Sequence, residues 1–179
     1  MLLESARRAL SSYQPTDPRE ADFKERIERL LRSSAPFSRS SFEPGHLTAS
    51  AFVVSPGRDA VLLILHRKLG LWLQPGGHIE VGDESLEAAA RREVLEEVQV
   101  KLAEAAAGAI FDVDVHAIPA RKDEPAHEHF DVRFCFQAAA AEIAPNEEVA
   151  GARWAELRGL EQVTSDESVL RAARKLMQS

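Results

Sequence analysis

Two segments of the chain alternate polar and apolar residues with a period of two, which is typical of β-strands that have one polar and one apolar face. The segments are Ala109–Ile118 and Glu128–Gln137. If they pair across the 117–126 loop, both polar faces can lie on the same side of the sheet. We call the resulting set the polar strip, and its members are Asp112, Asp114, His116, His127, His129, Asp131 and Arg133.

The other periodic segments predict an α/β protein. Helical spacing of apolar residues extends over 2–10, 18–31, 85–98 and 166–177, and β-like runs cover 47–54, 60–66 and 149–154. Asp17 is placed to cap the second helix ahead of Pro18, and Asp83 or Ser85 is placed to cap the third. Strands mixed with helices predict an α/β sandwich built on a mixed sheet, preceded by an N-terminal helical arm.

The composition changes near His46. Residues 33–45 are rich in Ser and Pro and have no periodicity, so we predict an arm and linker over 1–45 and a domain over 46–179. The arm has 8 basic and 7 acidic residues, whereas the rest of the chain has 14 and 22. Because this acidic domain lacks the basic stripe of a nucleic-acid clamp, nucleic acid is not expected as a partner.

Other properties of the sequence indicate the compartment. No apolar run approaches the roughly 20 residues of a membrane-spanning helix, and residues 1–13 carry charges where a signal peptide is apolar. The single cysteine, Cys135, excludes an intramolecular disulfide. We therefore expect a cytoplasmic protein with no membrane partner.

Three glutamates crowd one face of the predicted helix 85–98. Glu93, Glu96 and Glu97 stand at i, i+3 and i+4. Like charges at this spacing cost about 0.2–0.5 kcal/mol per pair unless a hard cation such as Mg²⁺ or Mn²⁺ lies between them. A solvated helix face is the alternative interpretation. Arg92 lies four residues before Glu96 and is within reach to hold its carboxylate.

The segment from Gly77 to Val100 resembles the Nudix box, the signature of the Nudix hydrolases. Glu84 and Arg92 have the required seven residues between them. The other matching positions are Glu93, Val94, Glu96, Glu97 and Val100. Six residues instead of five separate Gly77 from Glu84, and Gln99 stands where the family has Gly. Neither departure affects a carboxylate.

The resemblance implies a Nudix α/β/α sandwich and hydrolysis of a nucleoside diphosphate linked to another group. It also implies residue roles: divalent metal, Mg²⁺ or Mn²⁺, on Glu93, Glu96, Glu97 and the Gly76 carbonyl, with Arg92 holding the glutamates and Glu84 supporting the loop. A base must accept the proton of the attacking water. The candidates are Glu93 in the box and Glu147 or Glu148 in a later loop, although an exposed acidic turn is an equally good interpretation of the latter pair.

The polar strip allows three interpretations. It is an ordinary sheet edge in water, or a substrate groove, or a metal site on His127 and His129. As a groove it would use Arg133 for phosphate, Asp114 and Asp131 for ribose or sugar hydroxyls, and the histidines for a base, phosphate or proton. His78, beside the glycines, could reach a phosphate. Trp72 and Trp154 are expected in the core or a pocket wall, and Cys135 is expected to be structural.

Two other functions stay open beside the hydrolase. One is a Nudix-fold sensor that binds a nucleotide without cleaving it, although such sensors tend to lose box glutamates, and this chain keeps all three. The other is a diphosphate isomerase, which would need a second metal on His127 and His129 and a reactive cysteine. The expected partner is a small nucleotide, with NDP-sugars and ADP-ribose favoured, and a homodimer is a reasonable assembly.

Overall fold

The computed structural model describes residues 1–67, 69–104, 108–122 and 124–178. Its helices are α1 (Leu2–Ser12), α2 (Pro18–Leu30), α3 (Leu86–Val98) and α4 (Glu167–Leu176). Its strands are β1 (Gly45–Val54), β2 (Ala60–His66), β3 (Leu71–Leu73), β4 (Gly76–His78), β5 (Ile110–Ile118), β6 (His127–Gln137) and β7 (Val149–Glu156). The predicted α/β class with N-terminal helices is confirmed. The sequence pattern does not predict β3 and β4, because three residues are too few to show a period.

The strands form one hydrogen-bonded sheet. Its neighbours follow the order β3-β2-β1-β6-β5, with β4 paired to β1 and β7 paired to β2. β1 and β2 form an antiparallel hairpin, and Ser55 organises its turn by accepting hydrogen bonds from the backbone N–H groups of Asp59 and Ala60. None of the helices in the described ranges is long and apolar enough to cross a bilayer.

The chain divides into two compact units. The first unit comprises Met1–Ser50, Gly77–Ala90 and Ala109–Phe134, and the second comprises Ala51–Gly76, Arg91–Gly108 and Cys135–Ser179. The polar strip lies in the first unit, and the three glutamates of α3 lie in the second. The proposed domain boundary near His46 stays a prediction from the sequence pattern.

The N-terminal arm is held inside the first unit by polar contacts as well as apolar packing. The Asp17 side chain accepts a hydrogen bond from the Glu20 N–H and caps α2 as predicted. The carboxylate of Glu20 is buried, but it accepts three hydrogen bonds, from the Tyr13 hydroxyl and from the backbone N–H and hydroxyl of Thr16. Such partners remove most of the cost of burying a charge.

The N-terminal arm contacts β6 at two points, Arg26 of α2 and Gly45 at the end of the linker. Arg26 on α2 donates to both carboxylate oxygens of Glu128, at 2.6 and 2.7 Å. A Cβ atom on Gly45 would lie 1.8 Å from the carbonyl oxygen of Glu128, so only glycine fits where the linker enters β1. These contacts dock the arm on the strand that carries part of the polar strip.

The second unit buries the apolar side of α3. Val94 and Val98 are fully buried, as are Leu62 and Leu63 of β2 and Ala155 of β7. The β2–β7 ladder is antiparallel and extends along the whole of β2, with one register shift near its end. The apolar residues of α3 in this unit are therefore removed from water, whereas Glu96 is exposed and Glu93 is half-buried.

Both ends of α3 lie within one residue of the ends predicted from the sequence. Ser85, one of two predicted caps, accepts a hydrogen bond from the Ala88 N–H, whereas Asp83 accepts from Glu80 in the preceding turn. After Val98 the backbone enters the left-handed region, because Gln99 has φ of 52°. Gln99 stands where the family pattern has Gly, so the conformation is retained without the residue that adopts it most easily.

We predict that Gln99→Gly stabilises the protein. Gln99 is exposed, so the change removes little packing, and it relieves a left-handed conformation that costs a residue with a Cβ atom about 1 kcal/mol or more. Part of this gain is offset by the greater backbone entropy of glycine in the unfolded chain. Urea unfolding should give an increase of up to about 1 kcal/mol, while the control Gln99→Ala should leave the free energy of unfolding nearly unchanged. Equal effects of the two variants would contradict the strain at this position.

Candidate functional site

The carboxylates of α3 lie on one helix face, with very different exposure. Glu96 is exposed, Glu93 is half-buried, and Glu97 is buried, with 8% of its surface accessible. One nitrogen of Arg92, Nη1, donates to Glu93 Oε1 and Glu96 Oε2, at 3.0 Å each. Arg92 therefore holds two of the three carboxylates, as the sequence predicts for a residue four positions before Glu96.

Glu97 is held by the backbone beside the glycine turn. The Gly76 N–H donates to Glu97 Oε2 at 3.1 Å, so the residue predicted to offer its carbonyl to a metal also orients this carboxylate. Burial raises the pKa of Glu97 to about 8; the Gly76 hydrogen bond lowers it, and the negative charges of Glu93, Glu148 and Glu96 raise it further. The carboxyl group is therefore largely protonated at neutral pH when no cation is bound.

The loop glutamates differ from each other. Glu147 and Glu148 are both exposed in the turn before β7. Only Glu148 is among the groups whose charge raises the pKa of Glu97, and its own N–H donates to the Asn146 side chain. The Asn146 N–H in turn donates to the Glu97 carbonyl, so this loop is tied to α3. Glu84 is exposed in the turn before α3.

This group of side chains fits a divalent cation. All its side-chain donors are carboxylate oxygens, which Mg²⁺ and Mn²⁺ prefer. A cation would remove the repulsion among the glutamates and would favour the ionised form of Glu97 that burial opposes. The solvated-face interpretation does not account for Glu97, because that carboxyl is buried.

The polar strip forms with the predicted pairing. Asp114 faces Asp131 across the β5–β6 ladder, and His116 faces His129. Asp112, Asp114, Asp131 and Arg133 are all buried, with 0 to 4% of their surface exposed. The interpretation as a sheet edge in water is therefore wrong for these four residues.

Arg133 is the centre of the buried part of the strip. Its Nε donates to Asp131 at 2.8 Å, its Nη1 donates to Asp112 at 3.2 Å, and its Nη2 lies 3.4 Å from Asp114. Although burial disfavours the charged form, the three carboxylates raise the pKa of Arg133, so it stays a cation. Since its fork is directed to carboxylates of the chain, a contact of Arg133 with substrate phosphate stays a prediction.

Five of the six histidines lie in the same unit as the polar strip. The ring centroid of His129 lies 4.8 Å from that of His46, 5.2 Å from His127, 5.4 Å from His78 and 5.6 Å from His116. Burial, followed by neighbouring positive charge, lowers the pKa of His129 to about 2 and that of His78 to about 4. At physiological pH both rings are neutral, so each has a nitrogen lone pair to offer.

Three residues that contact the polar strip are not among the site residues predicted from the sequence. Thr48 and Ser50 of β1 donate to the two oxygens of Asp131 at 3.1 and 2.7 Å. His46, at the start of the same strand, is the ring that lies nearest to His129 among those measured above. The sequence signal that could have identified these residues is their spacing. His46, Thr48 and Ser50 are alternate residues in an otherwise apolar strand.

Cys135 does not have the properties of a nucleophile. It is a half-buried free thiol, and burial raises its pKa, so the reactive thiolate is disfavoured. The isomerase alternative requires a reactive cysteine, and Cys135 is the only cysteine of the chain. This finding agrees with the structural role predicted for the residue.

A family model of the NUDIX domain matches residues 44–176, which include the glycine turn, the carboxylates of α3 and the polar strip. The chain belongs to the NUDIX domain family. The predicted resemblance is confirmed, and the protein is a Nudix hydrolase by family membership. No curated protein is significantly similar to it in sequence.

Solved structures agree with this assignment. A NUDIX-family hydrolase from Clostridium perfringens is 27% identical, with 74% of this chain and 97% of that chain covered and a TM-score of 0.54. The dihydroneopterin triphosphate pyrophosphohydrolase of E. coli is 18% identical, with 74% and 96% covered and a TM-score of 0.59. The NUDIX domain of Shewanella oneidensis NrtR, complexed with ADP ribose, is 21% identical, with 84% and 96% covered and a TM-score of 0.53. The latter two share the fold.

The raised pKa of Glu97 predicts how stability depends on pH in the absence of metal. The folded-state pKa of about 8 lies above the ordinary value of 4.5, so the folded protein binds one more proton than the unfolded chain between these values. This contribution to stability is complete below pH 4.5 and is lost as the pH rises to 8, with a slope of at most about 1.4 kcal/mol per pH unit.

Glu97→Gln should remove this component, because the amide stays neutral at every pH. In chelator, urea unfolding should show the variant gaining stability relative to the natural protein as the pH rises from 5 to 8. The control Glu161→Gln, at an exposed position, should follow the natural protein throughout. A constant difference between Glu97→Gln and the natural protein would show that Glu97 ionises normally.

Proposed function

We propose that the protein hydrolyses a diphosphate linkage in a nucleoside diphosphate joined to another group, with NDP-sugars or ADP-ribose as the favoured class and Mg²⁺ or Mn²⁺ as cofactor. The observation that carries this proposal is the buried Glu97 carboxyl, surrounded by Glu93, Glu96 and Glu148, whose pKa is raised to about 8. A carboxylate is rarely kept in such surroundings unless a cation compensates it.

Each residue of this group has a role in the proposal. Glu93, Glu96 and Glu97 would hold the cation, together with the Gly76 carbonyl. Arg92 donates to Glu93 and Glu96 and fixes the direction of their carboxylates. The Gly76 N–H does the same for Glu97. When bound, the metal would neutralise charge on the diphosphate and raise the acidity of the attacking water.

The proton of the attacking water must go to a base, for which Glu93, Glu147 and Glu148 are the candidates. Arg92 donates to Glu93, so this carboxylate is already engaged by a neighbouring side chain. Glu147 has no described interaction with α3, whereas the charge of Glu148 acts on Glu97. These properties favour Glu148 as the base.

The favoured substrate class is supported more weakly. Imidazoles of the polar strip could bind a base or a phosphate and His78 could reach a phosphate, and the half-buried His78 and His129 are accessible in part. The roles proposed for Arg133, Asp131, Asp114 and His127 require residues that are buried. The NrtR domain complexed with ADP ribose has the same fold, which makes ADP-ribose a reasonable first substrate to test. A cytoplasmic location and a homodimer stay predictions.

Hydrolysis can be tested with a substrate panel. The purified protein is incubated with Mg²⁺ and ADP-ribose, other NDP-sugars, dinucleoside polyphosphates or nucleoside triphosphates, and nucleoside monophosphate is measured. We expect turnover of one class, reduced on the order of 10²-fold or more by Glu97→Gln, because cation and water lose their buried ligand. Glu161→Gln should leave the rate unchanged. Tight binding of a nucleotide without turnover would favour the sensor, and rearrangement without release of monophosphate would favour the isomerase.

The choice of base predicts a difference between adjacent residues. Glu148→Gln should lower kcat on the order of 10²-fold and remove the acidic limb of the pH profile, because an amide cannot accept the proton. Glu147→Gln changes the same charge one position away and should retain most of kcat. If both variants retain kcat and the pH profile, Glu93 becomes the better candidate.

A further inference from the structure

The histidine cluster of the first unit has a property that the proposed hydrolysis does not use. His46, His127 and His129 each present one ring nitrogen, and the three nitrogen atoms lie within 4.8 Å of one another. The three rings belong to two distant stretches of the chain, because His46 lies on β1 whereas His127 and His129 lie on β6. The convergence is therefore produced by the fold.

The hydrogen bonds of two of these rings fix which nitrogen is available. His46 Nδ1 lies 3.0 Å from the Ser41 carbonyl oxygen, and His127 Nδ1 lies 2.8 Å from that of Pro125. A carbonyl oxygen can only accept, so both Nδ1 atoms carry the hydrogen in the neutral rings and both Nε2 atoms keep a lone pair. A backbone carbonyl on the other ring nitrogen is the usual way in which a protein orients a metal-binding histidine.

One of these lone pairs is left unused. His46 is 1% exposed, and its Nε2 has no hydrogen-bond partner among the residues that the structure describes. A buried polar atom without a partner costs about 1–3 kcal/mol. A cation at this position would remove the cost, because it would accept the lone pair directly.

The distances suit a small cation that prefers nitrogen. The Nε2 atoms of His127 and His129 are 3.3 Å apart and share a hydrogen bond in which His129 donates, so a cation bound between them would require the His129 hydrogen to move to Nδ1. Two nitrogens bound at 2.0–2.1 Å to a tetrahedral Zn²⁺ are separated by about 3.3 Å. The His46 nitrogen lies within 4.8 Å of both, so it would have to approach by at most about 1.5 Å.

Charged groups of both signs lie around the histidines, since the positive charge of Arg39 and the negative charge of Glu124 both act on His46. Asp112, Asp114 and Asp131 lie beside one guanidinium, that of Arg133, so this buried group has more negative than positive charge. The next pair along the same face of the ladder is His116 and His129.

We propose that His46, His127 and His129 form a site for a borderline transition-metal cation of the Zn²⁺ class, in addition to the carboxylate group of α3. Imidazole nitrogen selects Zn²⁺ and similar ions over Mg²⁺, whereas the carboxylates of α3 have the opposite preference. Three protein ligands leave a fourth tetrahedral position for water or for an oxygen of a ligand. The proposal is independent of the hydrolytic activity and can hold even if that activity is absent.

Zn²⁺ binding to the full-length protein tests the proposal. Any polyhistidine tag is removed, excess Mg²⁺ is present to occupy carboxylates, and Zn²⁺ is titrated against a chromophoric chelator. We expect one Zn²⁺ per chain, with affinity lowered at least about 100-fold by His46→Gln and by His129→Gln. His66→Gln is the matched control, because His66 is the one histidine of the chain that lies in the second unit, and it should bind Zn²⁺ normally.

A second measurement distinguishes the histidines from the glutamates. Co²⁺ bound to three imidazoles in a four-coordinate site gives intense visible absorption bands, and these should appear in the natural protein and in Glu97→Gln but vanish in His129→Gln. If His46→Gln fails to fold, the half-buried His129 provides the decisive variant. Loss of the bands in Glu97→Gln with retention in His129→Gln, or no Zn²⁺ binding beyond that of His129→Gln, would overturn the proposal.

Discussion

One guanidinium bonded to buried carboxylates organises the first unit. Arg133 could not be buried as a cation without Asp112, Asp114 and Asp131, and these aspartates could not be buried as anions without Arg133. Asp131 also accepts hydrogen bonds from Thr48 and Ser50, so the same network connects β1, β5 and β6. Because a slip of one residue would turn these side chains to the other face, the network fixes the strand register from which the imidazoles of β1 and β6 project.

The second unit differs from the first in how the charge of its carboxylates is compensated. Arg92 donates to Glu93 and Glu96 of α3, whereas burial raises the pKa of Glu97, the deepest carboxyl of this helix, and the negative charges of neighbouring glutamates raise it further. In the first unit the chain supplies its own cation, whereas in the second the arrangement calls for one from outside. This difference separates a group that stabilises the fold from one that is suited to bind a metal and a diphosphate.

Much of the fold was predictable, since the helices and the longer strands have a clear period and some of the helices begin at a recognisable cap. Asp17 and Ser85 cap the helices at which they were expected, and the pairing of β5 with β6 follows from alternation. The exposure of the polar strip was not predictable. Alternation gives each strand a polar and an apolar face, but it cannot reveal whether other parts of the protein cover the polar face.

The sequence by itself determined the family, the carboxylate helix and the polar strip, because these depend on local order and on spacing along one element. Only the tertiary structure decided that Glu97 is buried against the Gly76 N–H, that Arg133 is surrounded by aspartates, and that His46 meets His127 and His129. These are contacts between residues distant in the chain. Their electrostatic consequences depend on which groups are removed from water together, and spacing along the sequence does not contain that information.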